Sequence, residues 1–354
     1  MANSDIMFRI LSIDGGGIRG IIPAKILALL EEELGRRDMS PHIYDYFDMI
    51  CGTSTGGIIA IGLALGMSAG DILKLYIDNA EVIFPHKNLA KKSWRVACGK
   101  SFYDRKDLKK LVSEAYDKAA GASPARLGHS HTRLCIPVYN AHKGAMHVFK
   151  TCHHPELIRE YQMPAVDIAM STAAAPVYFD SYEFDFTFLD GSQKFSYSNI
   201  VDGGIMANNP TLIGYTEAIQ ALDVKPEDLA ILSMGTGNNL LNDLPKTLSA
   251  KYWLYENKPL RLYDLISSAQ ADYTSNLMKF FQRGIGTSGE PKFIYDRLQY
   301  SFSNDNEVSM DDSAAQSLEH LENIGQEIYG QYATALIRTY FQDYKQPFEP
   351  CSKL

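Results

Sequence analysis

In the stretch YFDMICGTSTGGIIA, residues 46–60, an apolar run is followed by a glycine-rich turn and then by small apolar residues. A short apolar run bounded by turn residues is typical of a buried strand. We therefore predict a strand over Tyr46–Cys51 and a small-residue helix, packed closely behind it, over Thr55–Leu65. A strand that turns directly into a helix is the repeating unit of an α/β fold.

The same alternation continues on both sides of this stretch. Phe8–Ile13 is an apolar run followed by Asp14 and three glycines, and Ile22–Leu34 carries apolar residues at helical spacing before Gly35. Strands that alternate with helices predict an α/β domain with a mostly parallel central sheet. Further strands are predicted over Arg133–Tyr139, Met146–Lys150 and Leu229–Met234, and further helices over Asp71–Ile83, Pro164–Ala174, Pro210–Leu222, Tyr263–Phe281 and Ser313–Phe341.

The composition limits the classes of protein to which the chain can belong. Of its 354 residues, 45% are apolar, which is ample for a large core. A formal net charge of −8 argues against a general nucleic-acid-binding protein, which would normally carry a basic face. The five cysteines have no metal-ligand spacing, so we expect reduced thiols and neither a metal nor another cofactor.

The sequence also predicts where the protein acts. The N-terminus lacks a basic segment followed by an apolar one, so we expect no secretory signal and a cytoplasmic location. The longest apolar stretch, Ile58–Met67, is too short to cross a bilayer, so membrane contact would be peripheral. The final Ser352-Lys353-Leu354 is either a peroxisomal address or a chance match.

Gly52-Thr53-Ser54-Thr55-Gly56 matches the G-x-S-x-G pattern of a nucleophile elbow. Between a strand and a helix, such a turn lifts the Ser54 hydroxyl clear of the sheet and places it at a helix N-terminus. Gly52 and Gly56 let the tight backbone pass without Cβ clashes. Taken alone, the pattern also fits an ordinary strand–helix turn in which Ser54 caps the helix.

The segment Asp14-Gly15-Gly16-Gly17-Ile18-Arg19-Gly20 also follows a predicted strand and opens a helix. Consecutive glycines there can expose backbone N–H groups that stabilise a developing oxyanion. Gly15, Gly17 and Gly20 also satisfy the G-x-G-x-x-G pattern of a dinucleotide-binding turn, but Glu31–Glu33 fall within the first helix rather than after a second strand. A glycine-rich turn without a ligand is the third interpretation.

A carboxylate in Val201-Asp202-Gly203-Gly204 supplies a third element. Asp202 precedes two glycines that turn the chain, so it fits either a surface turn or a base for Ser54. A triad in the α/β-hydrolase order needs a histidine after the acid, and the one present, His320, lies in a polar helical stretch typical of a solvated face. Earlier histidines such as His153 lie in loop-like stretches without a partner pattern. A Ser–Asp dyad, which needs no histidine, is therefore favoured.

Taken together, these motifs resemble those of the patatin-like phospholipase family. Leu11–Gly20 is similar to its oxyanion loop, Gly52–Gly56 to its nucleophile elbow, Asp202–Gly204 to its Asp-Gly-Gly/Ala motif, and Ser171–Phe179 to a further segment between the serine and the aspartate. The resemblance covers about Phe8–Gly237 and weakens beyond it. It implies a three-layer fold with helices on both faces of the sheet.

The resemblance also implies the chemistry, which is metal-independent hydrolysis of acyl esters by a Ser–Asp dyad. Ser54 would be the nucleophile that forms an acyl-enzyme, and Asp202 would be its general base. The backbone of Gly16 and Gly17, with neighbouring Gly15 and Arg19, would form the oxyanion hole. The glycines that shape the motifs are Gly52, Gly56, Gly203 and Gly204.

The expected function is therefore that of a serine lipid acyl hydrolase of the phospholipase A type, acting on membrane phospholipids. The same dyad would serve an acyltransferase or a non-specific esterase. Without an assembled dyad the chain would be a lipid-binding protein, and a dinucleotide-binding oxidoreductase is the main rival enzyme. We expect a patatin-like catalytic domain over residues 1–240 and a mostly helical region over residues 241–354, packed on the same domain.

Two further expectations concern partners. Size and motifs resemble the cyclic-nucleotide-activated phospholipases of bacterial anti-phage systems, which implies a cyclic di- or trinucleotide activator and a homo-oligomer, although no stretch identifies a nucleotide pocket. The basic segment between Pro85 and Lys110 predicts either a lip that approaches anionic headgroups or a solvated loop and helix face. Its cations are Lys87, Lys91, Lys92, Arg95, Lys100, Arg105, Lys106, Lys109 and Lys110, interleaved with Trp94, Phe102 and Tyr103.

Overall fold

The computed structural model describes residues 7–85, 95, 98–239, 260–283, 292–303 and 306–354. These residues form an eight-stranded sheet and a separate two-stranded pair. The strands of the large sheet are β1 (Phe8–Ile13), β2 (Met49–Gly52), β3 (Arg133–Asn140), β4 (Ala145–Lys150), β5 (Tyr182–Thr187), β6 (Lys194–Asp202), β7 (Leu229–Met234) and β9 (Ile294–Leu298), and the pair consists of β8 (Asn238–Asn239) and β10 (Ser301–Phe302).

Parallel pairing dominates the large sheet. Its strand order is β5-β6-β3-β2-β1-β7-β9, with β4 paired to β3 beside this path. The pairs from β3 through β2, β1 and β7 to β9 are parallel, whereas β4, β5 and β6 form an antiparallel edge. The helices are α1 (Ile21–Arg36), α2 (Thr55–Ala64), α3 (Ala69–Ile83), α4 (Lys106–Ala120), α5 (Ala165–Thr172), α6 (Gly204–Ala207), α7 (Thr211–Ala221), α8 (Leu260–Arg283) and α9 (Ala315–Tyr340).

Helices cover both faces of the sheet. Successive residues of a strand point to opposite faces, so a single strand contributes to two apolar cores. In β1, Leu11 and Ile13 belong to an apolar core that includes α1, α2, α3 and α9. Ile10 belongs to a second core, with residues of α7 and with Met278 of α8. The expected α/β class, a mostly parallel sheet between layers of helices, is confirmed.

The seven predicted helices all occur, and each end lies within one helical turn of its prediction. The strand predicted over Tyr46–Cys51 starts only at Met49. Tyr46 and Phe47 instead follow a short 3₁₀ turn and contact the ring of Phe341, so their apolar character serves packing rather than the sheet. None of the described helices has both the length and the apolar character required to cross a bilayer.

The region beyond residue 240 contributes to the same sheet and core as the rest. Strand β9 pairs with β7 in parallel, and α9 lies along α1. The hydroxyl of Tyr340, at the end of α9, donates to the Ile231 carbonyl oxygen of β7 at 2.9 Å. The boundary expected at residue 240 itself lies outside the described residues.

Candidate active site

Ser54 occupies the turn between β2 and α2. Its backbone angles are φ 55° and ψ −123°, a conformation that L-residues rarely adopt and that is expected of a strained nucleophile elbow. The neighbouring glycines are required by space. A Cβ on Gly52 would lie 2.1 Å from the Gly56 carbonyl oxygen, and one on Gly56 would lie 2.2 Å from the Ile13 carbonyl oxygen. The tight elbow therefore follows from the close approach of α2 to β1 and β2.

Asp202 ends β6, and the pairing of that strand brings it beside the elbow. Asp202 is paired with Val138 of β3, three residues beyond the level at which Cys51 pairs with Cys135. Its Oδ2 accepts a hydrogen bond from the Ser54 hydroxyl at 2.6 Å. Its Oδ1 accepts one from the Gly204 N–H at 2.6 Å. The antiparallel edge of the sheet thus places a carboxylate against the serine.

Burial governs the acidity of Asp202. The residue is fully buried, and loss of water raises the pKa of its carboxyl to about 7. Hydrogen bonds from Ser54, Gly204 and Tyr263 oppose part of this rise. A carboxylate whose pKa lies near neutrality is a better proton acceptor than an ordinary aspartate.

The glycine loop lies directly beside Ser54. Gly16 and Gly17 line the same pocket as the serine. Gly17 has a φ of +59°, and a Cβ on it would lie 2.2 Å from the Met310 carbonyl oxygen. In the part of the chain that the structure describes, no hydrogen bond uses the N–H groups of Gly16 and Gly17. Among the described groups, none competes for these two N–H groups, so Gly16 and Gly17 are candidate donors to a ligand in the pocket.

Gly15 and Arg19 differ from the expectation that they help form an oxyanion hole. The Gly15 N–H donates to the Asn208 carbonyl oxygen at 3.1 Å, and the Arg19 N–H donates to the Gly16 carbonyl oxygen at 3.2 Å. Both donors are already used inside the protein. The candidate oxyanion donors therefore narrow to Gly16 and Gly17.

A pocket with a mainly apolar wall lies next to Ser54. Aliphatic and aromatic side chains dominate its wall, so the pocket suits a hydrocarbon chain better than a charged headgroup. The wall includes Ile58, Ile83, Phe84, Leu108, Phe179 and Met310.

Two residues of the C-terminal region, outside the sequence motifs, contact the glycine loop and its flanks. Arg297 of β9 binds Asp14 through two buried contacts, Nη1–Oδ1 at 2.8 Å and Nη2–Oδ2 at 2.5 Å. The Met310 carbonyl oxygen accepts the Ile18 N–H at 2.9 Å. Sequence reasoning missed these contacts. One signal was available in the sequence. A carboxylate between a buried strand and the glycine loop is expected to be buried, and a buried charge needs a partner of opposite charge.

Histidine takes no part in the Ser54–Asp202 contact within the described residues. His153 has no partner pattern in the sequence, but in the structure it is buried between two polar side chains. Its Nε2 lies 2.9 Å from Glu217 Oε1, and its Nδ1 lies 2.9 Å from Thr151 Oγ1. Glu217 also accepts from Lys150 Nζ at 2.5 Å. Cys135 lies close enough to complete a metal-ligating set. However, Lys150 already neutralises the carboxylate and both ring nitrogens have partners, so the cluster fits a polar network.

The basic segment is only partly described, since Lys87, Lys91, Lys92 and Trp94 lie outside the described residues. Arg95 and Tyr103 differ from the expected lip because both are buried, and Arg95 donates to the Ser101 and Tyr103 carbonyl oxygens. Arg105 lies over the rings of Phe179 and Tyr182. The described lysines of the segment that are exposed are Lys100, Lys106 and Lys110.

Residues 11–215, more than half of the chain, match the family model described as patatin-like phospholipase. The chain belongs to the patatin-like phospholipase family. This membership makes it a lipid acyl hydrolase. The match includes Ser54 and Asp202 and ends before α8 and β9.

Relatives within this family come from bacteria and plants. The chain is 35% identical over 253 residues to the "cGAMP-activated phospholipase" of Escherichia coli strain TW11681, and the alignment covers 69% of this chain and 66% of that protein. It is 32% identical over 354 residues to "Patatin-like protein 2" of Oryza sativa subsp. indica, covering 90% of this chain and 83% of that protein. The crystal structure of VipD from Legionella pneumophila aligns with a TM-score of 0.42 and 14% identity, over 93% of this chain and 67% of that one.

Proposed function

We propose that the protein cleaves fatty-acyl esters of membrane phospholipids through a Ser54–Asp202 dyad. The observation that carries the proposal is the 2.6 Å hydrogen bond from the Ser54 hydroxyl to the buried Asp202 carboxylate, beside an apolar pocket. A serine hydroxyl is a weak nucleophile until a base accepts its proton. Asp202 is placed to be that base, and the pocket is suited to the acyl chain.

The reaction steps follow from these positions. Asp202 takes the proton of the Ser54 hydroxyl while the serine oxygen attacks the acyl carbonyl carbon. The N–H groups of Gly16 and Gly17 stabilise the resulting oxyanion. Its collapse breaks the ester bond, the leaving alcohol takes the proton from Asp202, and the acyl group stays on Ser54. A water molecule that Asp202 deprotonates then attacks the acyl carbonyl carbon, and the Ser54 oxygen takes the proton back from Asp202 as its bond to the fatty acid breaks.

The product of the reaction tests this proposal. The purified protein is incubated with vesicles of defined phospholipids, with and without added cyclic nucleotides, and the lipids are analysed by mass spectrometry. We expect equal amounts of free fatty acid and lysophospholipid. Transfer of the acyl group to an acceptor lipid would instead support the acyltransferase, and intact lipid under every condition would contradict ester cleavage.

The pH dependence of kcat/KM is expected to follow the raised pKa of Asp202. Only the ionised carboxylate accepts the Ser54 proton, so activity is full above that pKa and is lost as the pH falls through about 7. Initial rates on a soluble nitrophenyl ester, whose binding involves no ionisable headgroup, provide the measurement. An acidic limb centred near pH 4, the value of an ordinary aspartate, would contradict the assignment.

Activation by a cyclic nucleotide is the second part of the proposed function. It is supported by the 35% identity to the cGAMP-activated phospholipase of Escherichia coli and by the 34% identity to the protein of the same name from Vibrio cholerae. An activity switched on in this way would suit anti-phage defence. We expect one cyclic di- or trinucleotide to raise the rate and to change the oligomeric state in light scattering. Equal rates across a panel, with linear dinucleotides as the control, would exclude the switch.

Peripheral membrane contact completes the proposed function and is supported by three exposed cations, Lys100, Lys106 and Lys110. Each lysine near an anionic surface contributes about 1 kcal/mol, so glutamine at one of them is expected to weaken vesicle binding about fivefold. Lys225→Gln, at an exposed lysine outside this segment, is the matched control. Sedimentation with vesicles of varied anionic lipid content provides the measurement, and binding that is unchanged in all variants would reject this surface.

A further inference from the structure

Asp202 has a further polar neighbour, which comes from a part of the chain outside the family motifs. The hydroxyl of Tyr263, near the start of α8, lies beside Gly204 together with Asp202 Oδ1, and it lowers the pKa of the Asp202 carboxyl. The Tyr263 side chain is buried and lines the pocket beside Ser54. It lies outside the residues 11–215 that match the family. The C-terminal region therefore reaches the candidate catalytic carboxylate directly.

The second glycine of the Asp-Gly-Gly motif makes this contact sterically feasible. A Cβ on Gly204 would lie 2.5 Å from the Tyr263 hydroxyl oxygen and 3.0 Å from Asp202 Oδ1. The tyrosine ring is fixed by its edge-on contact with Tyr178, with ring centroids 6.1 Å apart and planes at 70°. Packing against Tyr178, and the missing Cβ at Gly204, therefore leave the phenol beside the carboxyl.

We propose that Tyr263 is a positioning residue of the dyad: its hydroxyl donates to the Asp202 carboxyl and holds it with Oδ2 towards Ser54. A carboxylate can accept several hydrogen bonds, and a buried one is costly when they are missing. Ser54 and Gly204 supply two of them, and the Tyr263 hydroxyl lies close enough to Gly204 and the carboxyl to supply a third. The inference rests on the dyad of the proposed function.

The electrostatic surroundings make this hydrogen bond consequential. Among the described groups, no cation opposes the burial of Asp202, so its ionised form depends on hydrogen-bond donors alone. Burial and the nearby Asp202, Tyr178 and Asp264 raise the pKa of Tyr263 well above its usual value. Tyr263 therefore remains a protonated donor throughout the pH range in which Asp202 titrates.

Tyr263→Phe tests this role because it keeps the ring and removes only the hydroxyl. Loss of one hydrogen bond to a charged group is expected to lower kcat about tenfold with little change in KM. It is also expected to move the acidic limb of kcat/KM up by about one pH unit. Tyr273→Phe, on the same helix with its side chain 64% exposed, is the matched control and is expected to behave as the parent.

Titration of the Asp202 carboxyl carbon by isotope-edited NMR decides the question without turnover, with the signal assigned from its loss in Asp202→Asn. We expect its pKa to rise by about one unit in Tyr263→Phe and to stay unchanged in Tyr273→Phe. The same Asp202 pKa in Tyr263→Phe and in the parent would overturn the inference, whatever the kinetics show. A shifted pKa in a protein that cleaves no ester would leave this contact intact and contradict only the proposed function.

Discussion

Ser54→Ala is expected to lower phospholipid hydrolysis by about ten thousandfold, because it removes the oxygen that becomes acylated. Asp202→Asn is expected to lower kcat by about a thousandfold or more, since the amide keeps the shape of the carboxyl but cannot accept the Ser54 proton. Rates of fatty-acid release from vesicles, measured at several protein concentrations, provide both values. Neither substitution alters the apolar side chains of the pocket wall, so lipid binding should persist.

The double variant makes this test sharper. Residues that act as one catalytic unit lose their effects together, so Ser54→Ala with Asp202→Asn should be no slower than Ser54→Ala alone. Thr216→Ala, a loss of a hydroxyl on the exposed side of α7, is the control for a small polar deletion. Multiplying losses, or single variants that retain most of the parental rate, would show that the two residues do not share one reaction.

Arg297→Met is expected to lower the free energy of unfolding by about 3–5 kcal/mol, because it leaves the buried Asp14 carboxylate without its cation. Both side chains of the pair are almost fully buried, with exposures of 8% and 1%. Asp14 directly follows β1 and begins the glycine loop, so activity should fall as well. Urea denaturation followed by circular dichroism measures the change in stability.

Two comparisons separate this effect from a general loss of charge. Arg36→Met breaks an ion pair with Glu33 whose arginine is 65% exposed, and such surface pairs contribute about 1 kcal/mol or less. Asp14→Asn combined with Arg297→Met removes both buried charges and should recover part of the lost stability. If Arg297→Met unfolds at the same urea concentration as Arg36→Met, the buried pair does not stabilise the glycine loop.

Local sequence signals were sufficient for four of the five parallel strands, which are β1, β2, β3 and β7. Apolar runs such as Phe8–Ile13 and Leu229–Met234 are buried on both faces, so their composition alone indicates strands. The edge strands β5 and β6 were missed because they are partly exposed and mix polar with apolar residues. Strand β9 was missed because Arg297, within it, is polar only to meet Asp14 on a distant part of the chain.

The residues of the candidate site likewise differ in whether a local sequence signal could predict them. Ser54 could be predicted because the elbow makes strict local demands on the chain, which the flanking glycines record. The sequence could not predict which N–H groups of the glycine loop remain free. The Gly15 N–H, for example, donates to the carbonyl oxygen of Asn208, which is far away in sequence. Tyr263 was equally hidden, since only the packing of α8 brings its hydroxyl to Asp202.

Covalent labelling tests the central role of Ser54 most directly. The protein is treated with a fluorophosphonate, which reacts with activated serines, and the modified residue is located by tandem mass spectrometry while the remaining phospholipid hydrolysis is measured. We expect the label on Ser54, protection by phospholipid, loss of hydrolysis in step with labelling, and no label in Ser54→Ala. Hydrolysis that continues in fully labelled protein, or inactivation through a different residue, would contradict a Ser54 nucleophile.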